Sequence, residues 1–139
     1  MSRRLSREIA FKVLFQIDVG RSSARTALLH SLEGVKLTAE EQQFIHQVVN
    51  GTLANLDDID EIIKKHLINW QLERLPAVNR NLLRLGLYEI TYRPDIPLAV
   101  TINEILELAK KYGSSEDGVA FINSVLDRAS SGNLQGEEG

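Results

Sequence analysis

Four side chains near the start of the chain have the types and spacing to hold a single-stranded nucleic acid. On a helical wheel of about 100° per residue, Leu5, Ile9, Ala10, Val13, Leu14 and Ile17 make one broad apolar face. Phe11 and Phe15 fall on the other side, with Arg4 and Arg7 in the turns before them. Aromatic rings stack unpaired bases, while guanidinium groups hold phosphates and can stack themselves. A helix in a small bundle can also bury two of its faces. That makes Phe11 a core residue and leaves Phe15 open to either role. Arg3 adds a further guanidinium at the helix start, where positive charge opposes the helix dipole and so calls for another use.

A second set lies between residues 75 and 92. Arg80, Arg84 and Thr91 form a polar strip on an otherwise apolar segment, with Asn79 close to its beginning. Arg80 there meets either a phosphate or a surface carboxylate. Glu89 falls on the same side as Val78, Leu82 and Leu85. A carboxylate on an apolar stripe needs a compensating partner, either an internal cation or a partner protein. The remaining candidates point to no reaction. His30, His46 and His66 are scattered, and Asp57, Asp58, Asp60 and Glu61 sit where acidic residues complement a helix N-terminus. No phosphate-binding glycine loop, nucleophile elbow or metalloenzyme histidine pair is visible. The expectation is a non-enzymatic protein with no catalytic residues, no metal and no cofactor.

Helices must position these groups. Apolar residues recur at three and four, and nothing reads as strand. The pattern predicts a first helix over about Leu5–Val19 stopped by Gly20, and a second from Ser22–Ser23 to near Gly34. Thr38 and Glu41 form a capping box opening a helix with Phe44, Ile45, Val48, Val49 and Leu53 on its apolar face. Leu56, Ile59, Ile62, Ile63 and Leu67 mark a further helix closing around Asn69–Trp70. From Leu75 to Tyr92, apolar residues surround most of the wheel, as in a central helix buried on several sides, with Pro76 at its tolerant first turn. Pro94 and Pro97 impose an extended connection. Thr101 and Glu104 read as a second capping box, for a helix ending at Gly113. A last helix covers about Glu116–Ser130.

The 139 residues fit one domain, residues 1–130, with 131–139 expected as a disordered polar tail. A domain of this size buries roughly 68% of its unfolded surface, and 43% hydrophobic content suffices to fill it. With no cysteine, disulfides and thiolate metal sites are excluded, which is compatible with a reducing cytosol. No apolar run approaches the ~18 residues of a membrane span. The Arg/Ser-rich start has a transit-peptide flavour, yet its regular apolar stripe continues into the fold and reads as a mature helix. Net charge is −3, but residues 1–12 hold four basic side chains against one acid. A local RNA contact suits this distribution better than a broad nucleic-acid coat.

The order of motifs from residue 83 onward resembles the NusB family of bacterial transcription antitermination factors. The residues that carry it are Leu83–Glu89 (LRLGLYE), Asp95–Pro97, Ile102–Glu104, Leu108–Gly113 (LAKKYG), Phe121–Asn123 and Leu126–Asp127. The resemblance implies an all-α fold of about seven helices in two packed antiparallel subdomains. It implies RNA contacts at Arg3, Arg4, Arg7 and Phe15, and around Asn79, Arg80 and Asp117. It also implies binding of single-stranded boxA RNA together with the ribosomal protein NusE, in a complex that helps RNA polymerase resist termination on ribosomal RNA operons in the cytoplasm. Tyr88 and Glu89 are offered as partner contacts. Asn79 stands where the family usually has a carboxylate, Ala120 replaces a usual lysine, and Ser124 replaces a usual glycine. Two alternatives stay open. One is an accessory module of a ribosomal RNA methyltransferase system; the other is a protein-only adaptor whose homodimer masks the RNA face.

Overall fold

The structure, a computed structural model, describes residues 3–67 and 71–138, with side chains through residue 131. The helix end expected at Asn69–Trp70 lies outside the described residues. Among those described, the architecture is all-helical: α1 (Arg4–Val19), α2 (Ala24–Leu32), α3 (Ala39–Ala54), α4 (Leu56–Lys64), α5 (Ala77–Tyr92), α6 (Leu98–Lys111) and α7 (Glu116–Glu138). A 3-10 turn, Leu72–Arg74, precedes α5. α7 runs on past the Ser130 end expected from the sequence. Glycine lowers helix propensity by only about 1 kcal/mol, and residues 131–138 contain no proline to stop the helix.

Helices α1, α2 and α3 pack on one another, and so do α5, α6 and α7. The central helix α5 joins the two groups, touching α1, α3, α4, α6 and α7. Its all-round apolar pattern has this cause: Leu82, Leu83, Leu85 and Leu87 are each buried, and they serve different neighbours in one continuous core. Tyr88 presses against α3 where Gly51 leaves room; a Cβ there would fall 2.5 Å from the ring's Cζ.

Capping separates one correct local reading from one incorrect one. At α3 the Thr38 hydroxyl accepts from the Glu41 amide (3.1 Å), and the Glu41 carboxylate accepts from the Thr38 amide (2.8 Å). The second expected box does not form. α6 starts one turn earlier, directly after Pro97, so Thr101 lies inside the helix. There its hydroxyl donates to Glu89 Oε1 at 3.2 Å, while Glu104 accepts from Arg4. Because α6 already begins at Leu98, the Thr101 hydroxyl is not needed to accept from an N-terminal amide, and it donates to the buried carboxylate instead.

Glu89 is fully buried, and so is Arg7 of α1. Arg7 Nε and Nη2 donate to the two carboxylate oxygens at 2.7 and 2.8 Å, which links α1 to α5 while Thr101 brings in α6. At the far end of α1, Asp18 accepts from Arg80 (2.8 Å) and Asn81 (2.9 Å). Arg84 lies 3.4 Å from the same carboxylate and grips Asp60 of α4 with two bonds of 2.9 Å.

Removing one member of a buried ion pair strands the other, so Glu89→Ala should cost about 3–5 kcal/mol in urea unfolding. Replacing both, as Arg7→Met with Glu89→Leu, should recover most of that loss; equal losses in the single and double variants would count against the pairing. Gly51→Ala should cost about 1–3 kcal/mol by overpacking against Tyr88, and Gly51→Ala combined with Tyr88→Leu should cost less than the sum of the two single variants.

Candidate nucleic-acid interface

The basic start of α1 is met by carboxylates of the C-terminal half. Arg4 pairs with Glu104 of α6 through bonds of 3.0 and 3.2 Å, and Arg3 lies 3.8 Å from Asp95. These acids, with Glu89, offset positive charge placed at the unfavourable end of a helix dipole. Arg3 and Arg4 still keep much of their surface, with 47% and 72% of their side chains exposed. They diverge around the helix. Arg3 turns toward α3, its guanidinium 5.0 Å from the Phe44 ring centre, while Arg4 turns toward α6.

Arg7 and Glu89 are placed differently from their expected roles as RNA and partner contacts. Both side chains are consumed by each other inside the protein, because only a matched charge makes burial of either tolerable. Tyr88 is likewise buried, at 5% exposure, and stacks on the more exposed Tyr92 with ring centres 5.4 Å apart. Arg80, read as either a phosphate contact or an ion pair, takes the second role. Besides Asp18, it donates to the carbonyls of Leu72, Glu73 and Leu75, tying down the turn before α5. The acidic run at α4 also resolves into separate duties: Asp57 and Asp58 sit in the first turn, and Asp60 is held by Arg84.

Phe15 remains half-exposed, while Phe11 is buried at 2%. Their rings meet edge to face at 6.2 Å, and Phe11 in turn lies 5.1 Å from Tyr112 at the end of α6. The Tyr112 hydroxyl donates to Glu8 Oε2, to which Lys111 also donates at 2.7 Å. Sequence reasoning missed Tyr112, Lys111 and Lys12. The available signal was an aromatic after two lysines and before a helix-ending glycine. Gly113, at φ +88°, closes α6 with the paired bonds of a Schellman motif, Gly113 amide to Lys110 carbonyl and Ser114 amide to Ala109 carbonyl.

That turn delivers Ser114 to Asn79. The Ser114 hydroxyl donates to Asn79 Oδ1 at 2.5 Å, and Gly118 lies close enough that a Cβ would be 2.9 Å from Asn79 Nδ2. Asn79 is thus buried beneath the loop, whereas Asp117 stands exposed in the first turn of α7. Asn79 therefore lies against the loop that leads into α7, whereas Arg80 is turned toward Asp18 and the turn before α5.

Two pKa shifts report on the Glu8 cluster. Burial pushes the Glu8 carboxyl up, but hydrogen bonds from Lys111 and Tyr112, with the charges of Lys111 and Lys12, outweigh it and hold the group below its ordinary value. Burial, aided by the bond to Glu8 and that carboxylate's charge, pushes the Tyr112 phenol up to about 12.

The profile of the NusB family matches residues 4–131, nearly the whole described chain. The chain belongs to the NusB family. Among its relatives, the transcription antitermination protein NusB of Bacillus licheniformis is 44% identical over 131 residues, covering 94% of this chain and 98% of the relative. The solved structure of T. maritima NusB superposes with a TM-score of 0.87 at 36% identity, over 94% of this chain and 92% of that one. A solved complex of the antitermination factors NusB and NusE with double-stranded RNA matches at a TM-score of 0.85 and 28% identity, covering 95% and 99%. The two packed helical groups joined along α5 are the NusB fold.

The lowered Glu8 pKa sets the sign of an acid effect. Its contribution to stability is present above the ordinary value of 4.5 and is lost as pH falls through the lower folded value. Urea unfolding followed from neutral to acid pH should show this decline in the wild type and a smaller one in Tyr112→Phe, which lacks one of the stabilising bonds. Identical acid profiles would show that the hydroxyl does not hold the carboxylate.

Proposed function

We propose that this chain is a cytoplasmic transcription antitermination factor that binds boxA-type RNA jointly with a NusE-type ribosomal protein, helping RNA polymerase resist termination on ribosomal RNA operons. It works by binding and positioning, without a chemical step. The observation that carries this reading is family membership across residues 4–131, together with a structural neighbour solved as a complex of NusB, NusE and RNA. The match to the Bacillus licheniformis relative covers 98% of that protein, so the relative itself has no room for a methyltransferase domain beyond the match.

The RNA of that neighbour is double-stranded. Here the partly exposed ring of Phe15 favours unpaired bases, whose faces are open to stacking. Arg3 and Arg4 supply guanidinium groups for the phosphates, and the exposed carboxylate of Asp117 supplies an acceptor for base amino groups beside Asn79. Arg7 and Arg80 serve this face indirectly, by fixing α1 against α5. For the protein partner, Tyr92 is the exposed member of the pair it forms with Tyr88, and the partner surface is read from it.

Fluorescence anisotropy with a boxA-like RNA and a scrambled control, at two salt concentrations, tests the reading. The boxA-like RNA should bind selectively, tighten when the NusE-type protein is added and weaken with salt. Phe15→Ala should weaken binding by about 1–3 kcal/mol, the worth of one stacked base. Equal affinity for both RNAs with the partner present would overturn the reading.

A further inference from the structure

We propose that Tyr112, flanked by Lys12 and Lys111, is a stacking platform for one unpaired base of the bound RNA, adjoining Phe15 on the same strip. The inference rests on the RNA-binding reading above and adds to it a subsite on α6. Tyr112 is half-buried at the C-terminal end of that helix. Phe11, its inner neighbour, is buried at 2% and makes the aromatic contribution to the core. Tyr112 and Phe15 are the rings on either side of it that retain surface.

The ring is held before any ligand arrives. Its hydroxyl is bonded to Glu8, which α1 supplies, and its backbone closes α6 immediately before the Gly113 turn. A ring immobilised in this way loses little conformational entropy when a base is laid on it. The ammonium groups of Lys12 and Lys111 each lie 5.9 Å from the ring centre, and both side chains are exposed. Both ammonium groups lie over the ring, and a nucleotide suits this arrangement when its base takes an ammonium's place on the ring and its flanking phosphate meets the displaced ammonium. The position also fits a continuous path. From Phe15 on α1 the strip passes to Tyr112, and the next turn of chain carries Ser114 to Asn79 and then Asp117.

The decisive experiment measures the affinity of the full chain, with its NusE-type partner, for a boxA-like RNA and a series in which each nucleotide in turn is abasic. In the wild type, one position should lose about tenfold when its base is removed. Tyr112→Leu should lose about as much on the intact RNA and then become indifferent to that position, with the remaining positions unchanged. Tyr112→Phe, which restores the ring without the hydroxyl, should restore the dependence on that base. Lys12→Ala provides an independent reading at an exposed site: the slope of log affinity against log salt should shrink by about 0.7, one phosphate on a single strand. Should the wild type bind selectively while no abasic position couples to Tyr112, the platform is wrong and the antitermination reading stands. Should Tyr112→Leu fail to fold, an unaltered salt slope in Lys12→Ala overturns the proposal by itself. A wild type that binds no RNA sinks both.

Discussion

The pairing of Arg7 with Glu89 is the constraint on which the arrangement of helices depends. Two opposite charges with almost no exposure are tolerable only when each satisfies the other at close range, here 2.7 and 2.8 Å. That requirement fixes how far α1 slides along α5 and how it is rotated. Thr101 completes the carboxylate's bonding and brings α6 into the same register. Once α1 is set, Arg4 faces Glu104, Glu8 faces Lys111 and Tyr112, and Asp18 reaches Arg80 and Asn81 at the opposite end. Polar contacts at both ends of α1 thus frame an apolar middle that includes Ile9, Ala10, Val13 and Leu14. A shift of α1 by one turn would strand several charges at once, which gives this docking a specificity that apolar packing alone lacks.

Much of the fold was legible because its signals are local. The hydroxyl of Thr38 and the carboxylate of Glu41 need only each other, so the capping box could be read from four residues. The all-round apolar pattern of α5 announced a central helix for a similarly simple reason: every side of the wheel meets another helix. Thr101 and Glu104 show the same spacing, yet their partners lie elsewhere. Glu89 is 12 residues from Thr101, and Arg4 is 100 residues from Glu104. Nothing local announces those partners, and so the spacing misled.

The candidate site divides in the same way. Arginine beside phenylalanine on one helix was readable as nucleic-acid chemistry, but an isolated helix cannot reveal that Arg7 has a carboxylate 82 residues away in sequence. Of the residues grouped on the first helix, Arg7 and Phe11 turn inward, while Arg3, Arg4 and Phe15 keep surface. Tyr112 went unread because it marks a helix end, where an aromatic before glycine looks like ordinary punctuation. Its meaning appears only when α1 brings Glu8, Phe11 and Lys12 beside it. Asn79 and Asp117 were both named by family likeness, and the Gly113 turn is the physical device that brings Ser114, three residues before Asp117, to Asn79.

Helix α1 has no idle face. Its inner residues build the core, Arg7 locks its register, and the strip from Arg4 to Phe15 meets α6 and solvent. Each added or deleted residue in a helix turns everything beyond it by about 100°. A one-residue insertion directly after Phe11 would therefore put Lys12 in the buried place of Val13 and carry Phe15 away from Phe11. The loop between α2 and α3 is under looser steric constraint: a Cβ placed on Gly34 meets nothing within 4 Å, and only its φ of +75° favours glycine there. Between Arg7 and Asp18 a change of length is not tolerated in the same way, because those two residues are fastened to α5 at separate points along its axis.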